Sequence, residues 1–207
     1  MKVISLLSRK GGSGKSTLTV HWAVEAEQTG RRVVLLDMDV QGSCSSWFAK
    51  RAAKTPLLIQ SQAETIKEHI EACRADGIDL VMIDTPPDID TKAVHAARAS
   101  DLVVIPTRPS VLDLEAIGGT VELVRGMGKP AVVVINQAPA RSLVTAEAKT
   151  ALGGYGLPIC PIAITNRLVF SRALIDGQVA REIEPTEKAA AEIHSSWQWI
   201  QQLLGEK

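Results

Sequence analysis

The stretch SRKGGSGKST at residues 8–17 constrains this chain more than any other part of it. A phosphate-binding loop reads Gly, four residues, Gly-Lys-Ser/Thr, and it carries meaning only between a buried strand and a helix that begins at the lysine. Val3-Ile4-Ser5-Leu6-Leu7 supplies the strand, Lys15 to Glu27 contains neither Pro nor Gly, and Gly30 follows as a C-terminal stop. Counting back from Gly14-Lys15-Ser16 puts Arg9, followed by Lys10, at the position of the opening glycine, so the strict pattern fails by one residue while its context holds. Gly11, Gly12, Ser13 and Gly14 form a turn whose N–H groups can converge on phosphate oxygens at a helix N-terminus. Lys15 would then reach the β and γ phosphates of a nucleotide, and the Ser16 hydroxyl would bind Mg²⁺. A plain glycine-rich turn with surface lysines does not account for strand, glycines, Lys-Ser and helix all falling in register.

A chain of 207 residues supports one well-buried domain, expected to span 1–207, and is too short for two ordinary ones. Hydrophobic residues at 45% and charged residues at 22% exclude a disordered or fibrous chain. Lys plus Arg and Asp plus Glu balance at 23 each, so a nucleic-acid partner would have to be met by a local basic patch. Cys44, Cys73 and Cys160 are widely spaced with no C-x-x-C pair, which argues for reduced thiols rather than a disulfide framework or a zinc or iron–sulfur site. His21, His69, His95 and His194 are isolated, and none reads as a metal ligand. No charged leader with a long apolar run and no stretch of roughly 18 apolar residues occurs, so a cytoplasmic location is expected.

Apolar runs recur at 33–36 (VVLL), 80–83 (LVMI), 102–105 (LVVI) and 131–135 (AVVVI), with helix-compatible stretches between them. Such continuous runs mark strands buried on both faces, and their alternation with helices predicts an α/β fold: a mostly parallel, twisted sheet with helices on both faces. Ala63 to Ala75 reads as a helix opened by a Ser61-x-x-Glu64 capping box and closed by Asp76-Gly77. Asp113 to Met127 and Glu184 to Leu204 read as further helices, whereas 137–180 has no decisive period.

Ligands of open parallel sheets bind beyond the carboxyl ends of the strands. VVLLDMD ends in Asp37 and Asp39 and LVMIDTPP contains Asp84, so three carboxylates are expected at the edge that carries the glycine loop. Asp84 has the form of a Walker B aspartate, in reach of an Mg²⁺ held by Ser16. An aspartate after a strand is by itself more often a turn or a helix cap, and it is the loop at the same edge that favours a metal role.

KGGSGKST at 10–17, LLDMDVQGS at 35–43, VMIDTPP at 81–87 and VIPTRPSVLDL at 104–114 together resemble the ParA/MinD group of deviant Walker A P-loop ATPases, especially short ParA-type partition ATPases. The resemblance implies slow, partner-stimulated, Mg²⁺-dependent hydrolysis of ATP. Lys10 matches the signature lysine of that group, which would reach across an ATP-sandwich homodimer to the phosphates held by the other subunit. Asp39 matches the aspartate that positions the attacking water, and Lys10, Lys15 and Asp39 are therefore the expected catalytic set. Gly11, Gly12, Ser13, Gly14, Lys15, Ser16, Thr17 and Asn136 are expected to bind nucleotide, Thr17 at the α phosphate and Asn136 at adenine; Ser16, Asp37 and Asp84 are expected on the metal side. Pro109 and Asp113 fall where the group has a segment near its dimer interface. The pattern departs at Val40, where the group has proline, which predicts a more mobile switch segment. The first strand begins at residue 2, so the N-terminal DNA-binding extension of long partition ATPases is not expected.

Three functions follow from these residues. The preferred one is an ATP-dependent switch that dimerises, binds double-stranded DNA without sequence preference, associates with the nucleoid, and positions a plasmid, a chromosome or a large protein cargo through a small centromere-binding or adaptor partner. Arg167, Arg172 and Arg181, flanked by Lys149 and Lys188, are the candidate DNA contacts, against the plain reading of a solvated face. The alternative is a MinD-like membrane-cycling ATPase, which would need a basic amphipathic C-terminal helix. HSSWQWIQQLLGEK has Trp197, Ile200 and Leu204 at helical spacing but few positive charges and an acidic Glu206, so no stable membrane association is expected. The third, a small-molecule or metal-transfer enzyme on the same core, lacks a substrate constellation.

Overall fold

Even within the continuous apolar runs, successive side chains serve opposite faces: Leu35 packs into one core and Leu36 into the other, as do Met82 and Ile83. The structure, a computed structural model, describes residues 1–87 and 91–205. The chain runs β1 (Lys2–Leu6), α1 (Lys15–Gln28), β2 (Val33–Asp37), α2 (Ser43–Lys50), β3 (Leu57–Gln60), α3 (Ile66–Ala75), β4 (Leu80–Asp84), α4 (Thr91–Ala99), β5 (Leu102–Thr107), α5 (Val111–Ala116), α6 (Gly118–Gly126), β6 (Ala131–Ile135), α7 (Val144–Gly153), α8 (Leu168–Ile175), α9 (Ala180–Ile183) and α10 (Lys188–Leu203). Among the described residues the strands form a six-stranded sheet in the order β3-β2-β4-β1-β5-β6, every neighbouring pair parallel. Parallel neighbours need crossover connections, and the intervening helices supply them on both faces.

One face is covered by α1, α2, α8 and α10, with Trp22, Trp47, Phe170 and Trp197 in its core. The other is covered by α3, α4, α6 and α7, with Ile66, Ala96, Val121 and Leu152 in its core. The apolar stripe predicted for the C-terminal helix is consumed here: Trp197 and Ile200 are fully buried, and Ser196 accepts a 3.0 Å bond from the Trp22 indole across to α1. Among the described residues no helix is long and apolar enough to cross a membrane, and Glu206 lies outside them.

Three sequence readings are corrected. The helix expected from Ala63 begins at Ile66, because the Ser61 hydroxyl bonds to His69 Nδ1 at 2.9 Å instead of capping. The helix expected over Asp113–Met127 starts earlier, at Val111, with Ser110 capping the Asp113 N–H, and is divided at Ile117 into α5 and α6. The last helix begins at Lys188 rather than Glu184.

Candidate functional site

Strand register brings the site together. Leu6, Asp84 and Asp37 are side-by-side partners across β1, β4 and β2, all at carboxyl ends. Because the chain leaves β1 directly into the glycine loop, both carboxylates sit at the root of that loop, where the switch of sheet direction leaves a crevice.

The loop enters α1 through Gly14, whose φ is +90°. A Cβ there would also overlap the Asn136 amide, so both backbone conformation and space require glycine. Gly14, Lys15, Ser16 and Thr17 line a cavity of about 320 Å³ together with Asp39 and Gln41. Lys15 is 6% exposed and its Nζ lies 3.4 Å from the Ser8 carbonyl, folded across the loop at the positive end of α1. Arg9 turns out of the loop and lays its guanidinium over Gly119 of α6, where a Cβ would stand 3.2 Å from its Cδ. The missing opening glycine is thereby accommodated: the arginine side chain leaves the phosphate side for a helix that lacks a side chain at the contact.

The three aspartates differ in environment. Asp37 accepts from the Ser45 N–H (2.9 Å), the Ser45 hydroxyl (2.7 Å) and the Asp39 N–H (3.1 Å), tying β2 to the start of α2. Asp39 accepts from the Gln41 N–H at 2.9 Å and lines the cavity. Asp84 is fully buried; its Oδ2 accepts from the Cys44 thiol at 3.2 Å, and its Oδ1 has no hydrogen-bond partner among the described residues. Burial pushes the Asp84 carboxyl up to about 7, with the Ser16 hydroxyl, the Cys44 thiol and Lys15 opposing. Burial also pushes the Cys44 thiol well up, helped by the charges of Asp84 and Asp37, so Cys44 serves as a neutral donor. Cys44 was missed in the sequence, where it read as one of three scattered thiols.

A buried carboxylate with an orphaned oxygen beside a serine hydroxyl is a hard-oxygen setting that fits Mg²⁺. Among the described residues no group of three or more His, Cys, Asp or Glu side chains could hold a metal alone, so Ser16 and Asp84 would need phosphate oxygens to complete the shell.

Asn136 lines a second cavity of about 280 Å³ with Thr17, Ile164, Asn166 and Phe170, and its amide nitrogen donates to the Ser13 carbonyl at 2.9 Å. Lys10 is not among the residues lining the phosphate cavity of its own loop. It lines a cavity of about 480 Å³ with Pro109, Leu112, Asp113 and Val144, next to the exposed Val111.

A family model described as the CobQ/CobB/MinD/ParA nucleotide binding domain matches residues 4–178. The chain belongs to this family. Within it, the chain is 34% identical over 209 residues to the maintenance of carboxysome distribution protein A of Gloeobacter kilaueensis, covering 95% of each chain. It is 25% identical over 224 residues to the chromosome-partitioning ATPase Soj of Thermus thermophilus, covering 90% of each. The septum site-determining protein MinD of Pyrococcus horikoshii in complex with Mg-ADP shares the fold at a TM-score of 0.80 and 18% identity, covering 99% of this chain and 97% of that one. The protein is thus a ParA-family ATPase by relationship, with MinD as a neighbour in fold.

Two of the three arginines expected to contact DNA are paired with carboxylates of this chain. Arg181 donates to Glu25 through two nitrogens at 2.7 and 2.9 Å, and Arg167 pairs with Glu192 at 2.7 Å. Lys149 donates to the Pro161 carbonyl at 2.8 Å. Glu25 is 2% exposed, so Arg181 balances a buried charge in the fold. Arg172 is exposed in the last turn of α8. The partners Glu25 and Glu192 lie 156 and 25 residues away in sequence, beyond what local charge counting detects.

Proposed function

We propose that this protein is an ATP-driven positioning switch. ATP binds at the glycine loop, two ATP-bound copies associate through the face carrying Lys10, and the dimer holds DNA without sequence preference until a partner stimulates hydrolysis. The observation that carries this reading is the placement of Lys10, which lines an outer cavity beside the exposed Val111 and Leu112. A cation so placed can neutralise phosphates held by a second copy, so association would weaken when the γ phosphate is lost.

In this reading the loop N–H groups and Lys15 hold the phosphates, Asn136 lines the base site, and Asp39 orients the attacking water. Ser16 and Asp84 would hold Mg²⁺ with Asp37 supporting, and the ion when bound would neutralise charge on the β and γ phosphates. The partnered state of Arg167 and Arg181 leaves Arg172 as the better DNA contact of the three. The similarity to a carboxysome-distribution protein over nearly the whole chain favours a protein assembly over a plasmid as cargo. The membrane-cycling alternative would need the apolar stripe of α10, which is spent in the core.

Asp39→Ala protein loaded with ATP should bind random-sequence duplex DNA, with affinity falling steeply with salt, and ADP-loaded protein should not. Equal DNA binding with ATP and ADP, or none with either, would count against the switch.

A further inference from the structure

We infer that Gln137, acting with Asn136, is a positioning residue that sets the phosphate-binding conformation of the glycine loop. The inference rests on the nucleotide reading above and deepens it.

The chain just past β6 is fixed on both sides: the Asn136 N–H donates to the Thr107 carbonyl at 2.8 Å and the Ala138 N–H to the Ile164 carbonyl at 2.9 Å. Between these anchors Gln137 adopts a φ of +52°, a left-handed conformation unusual for a residue with a side chain. A glycine would take it without strain, so the presence of glutamine points to a task for its side chain. The turn delivers two consecutive amides to two consecutive carbonyls of the loop. Asn136 Nδ2 donates to the Ser13 carbonyl and Gln137 Nε2 to the Gly12 carbonyl, both at 2.9 Å.

A trans peptide unit points its C=O and the following N–H in opposite directions. Anchoring the Gly12 carbonyl on Gln137 therefore turns the Ser13 N–H the other way, and anchoring the Ser13 carbonyl on Asn136 does the same for the Gly14 N–H. Gly12 and Gly14 line the phosphate cavity, whereas Asn136 and Gln137 line the neighbouring ones, so the pair holds the carbonyls out and the donors in. A preorganised nest of donors binds an anion without the cost of reorienting its dipoles on binding. Gln137 also lines both the cavity of Asn136 and the cavity of Lys10, which puts the base side, the loop and the outer face in contact with one side chain.

The test compares Gln137→Met, which keeps length but donates nothing, Gln137→Gly, which also removes the backbone strain, and Gln137→Glu, which sets a carboxylate against the Gly12 carbonyl. Binding of ADP and of inorganic pyrophosphate with Mg²⁺ is measured by calorimetry on the full chain, and thermal unfolding without ligand is recorded for each. Met and Gly variants are expected to lose about tenfold in affinity for both ligands, the worth of one hydrogen bond, and Glu to lose more, with no fall in ligand-free Tm for the Gly variant, where relief of the strain at 137 offsets the lost bond. ADP affinity within twofold of wild type in the Met variant would overturn the inference. So would a loss for ADP without a loss for pyrophosphate, which would assign Gln137 to the base, or a fall in the ligand-free Tm of the Gly variant parallel to its loss of affinity. Failure of the wild-type protein to bind ADP would instead overturn the nucleotide reading itself.

Discussion

Acid should destabilise this protein through His21, one turn beyond the glycine loop. The imidazole is 2% exposed on α1, with Nδ1 2.7 Å from the Thr17 carbonyl, Nε2 accepting from the Ala180 N–H at 3.1 Å, and the ring edge-on to Phe170. With Nδ1 donating and Nε2 accepting, the ring is neutral, and a second proton would set N–H against N–H. Burial lowers its pKa from 6.5 to about 4, opposed by the Thr17 carbonyl and the charge of Glu182. Between these values the unfolded chain binds a proton that the folded chain refuses. Stability from this site is therefore complete above pH 6.5, falls as pH drops, and is fully lost below about pH 4. At roughly 1.4 kcal/mol per pH, the gap from 6.5 to about 4 corresponds to about 3 kcal/mol. Urea unfolding of wild type and His21→Gln at pH 7 and pH 4 isolates the contribution of His21, since other titrating groups cancel in the comparison. Wild type should lose about 3 kcal/mol more than the variant over that interval. Parallel losses in the two proteins, or a folded-state His21 resonance titrating above pH 6, would show that buried neutral His21 is not the source of the acid sensitivity.

Other perturbations follow from the same structure. Lys15→Ala removes the buried cation of the phosphate cavity and should weaken ATP binding about 100-fold by calorimetry while leaving the fold intact. Asp84→Asn replaces a carboxylate that burial disfavours, so at roughly 1.4 kcal/mol per pH the ligand-free variant should be more stable than wild type at pH 8 by up to about 4 kcal/mol, yet its nucleotide affinity should no longer respond to Mg²⁺. Gly177 has a φ of +67°, and a Cβ there would stand 2.5 Å from the Arg51 Cα, backbone that is held by the Arg51–Glu182 ion pair. Gly177→Ala should therefore cost about 3 kcal/mol or more, visible as a Tm drop of about 6–12 °C.

What the sequence disclosed was local or periodic. The glycine loop, the strand before it and the helix after it are contiguous, and Asp37 and Asp84 declare themselves because parallel strands end together. β3 escaped notice because LLIQ is a short edge strand with half-exposed side chains, following Thr55-Pro56 in a stretch that reads as loop. The 137–180 stretch resisted periodic reading because Pro158 to Asn166 meets β6 and the segment after it only at isolated bridges and irregular hydrogen bonds. Gln137, Cys44 and the Arg51–Glu182 pair matter through contacts that span 125, 40 and 131 residues, which no window along the chain can capture. The partners of Arg167 and Arg181 are illegible for the same reason, since counting arginines does not reveal Glu25 or Glu192 folded against them.

The proposed switch requires that ATP, and not ADP, join two copies of the chain. The most direct measurement is the solution mass of the Asp39→Ala protein by sedimentation with Mg-ATP and with Mg-ADP. About twice the 22.2 kDa chain mass is expected with ATP and a monomer with ADP, with the ATP dimer lost in Lys10→Ala. The same mass in both nucleotide states, or an ATP dimer indifferent to Lys10, would contradict the switch.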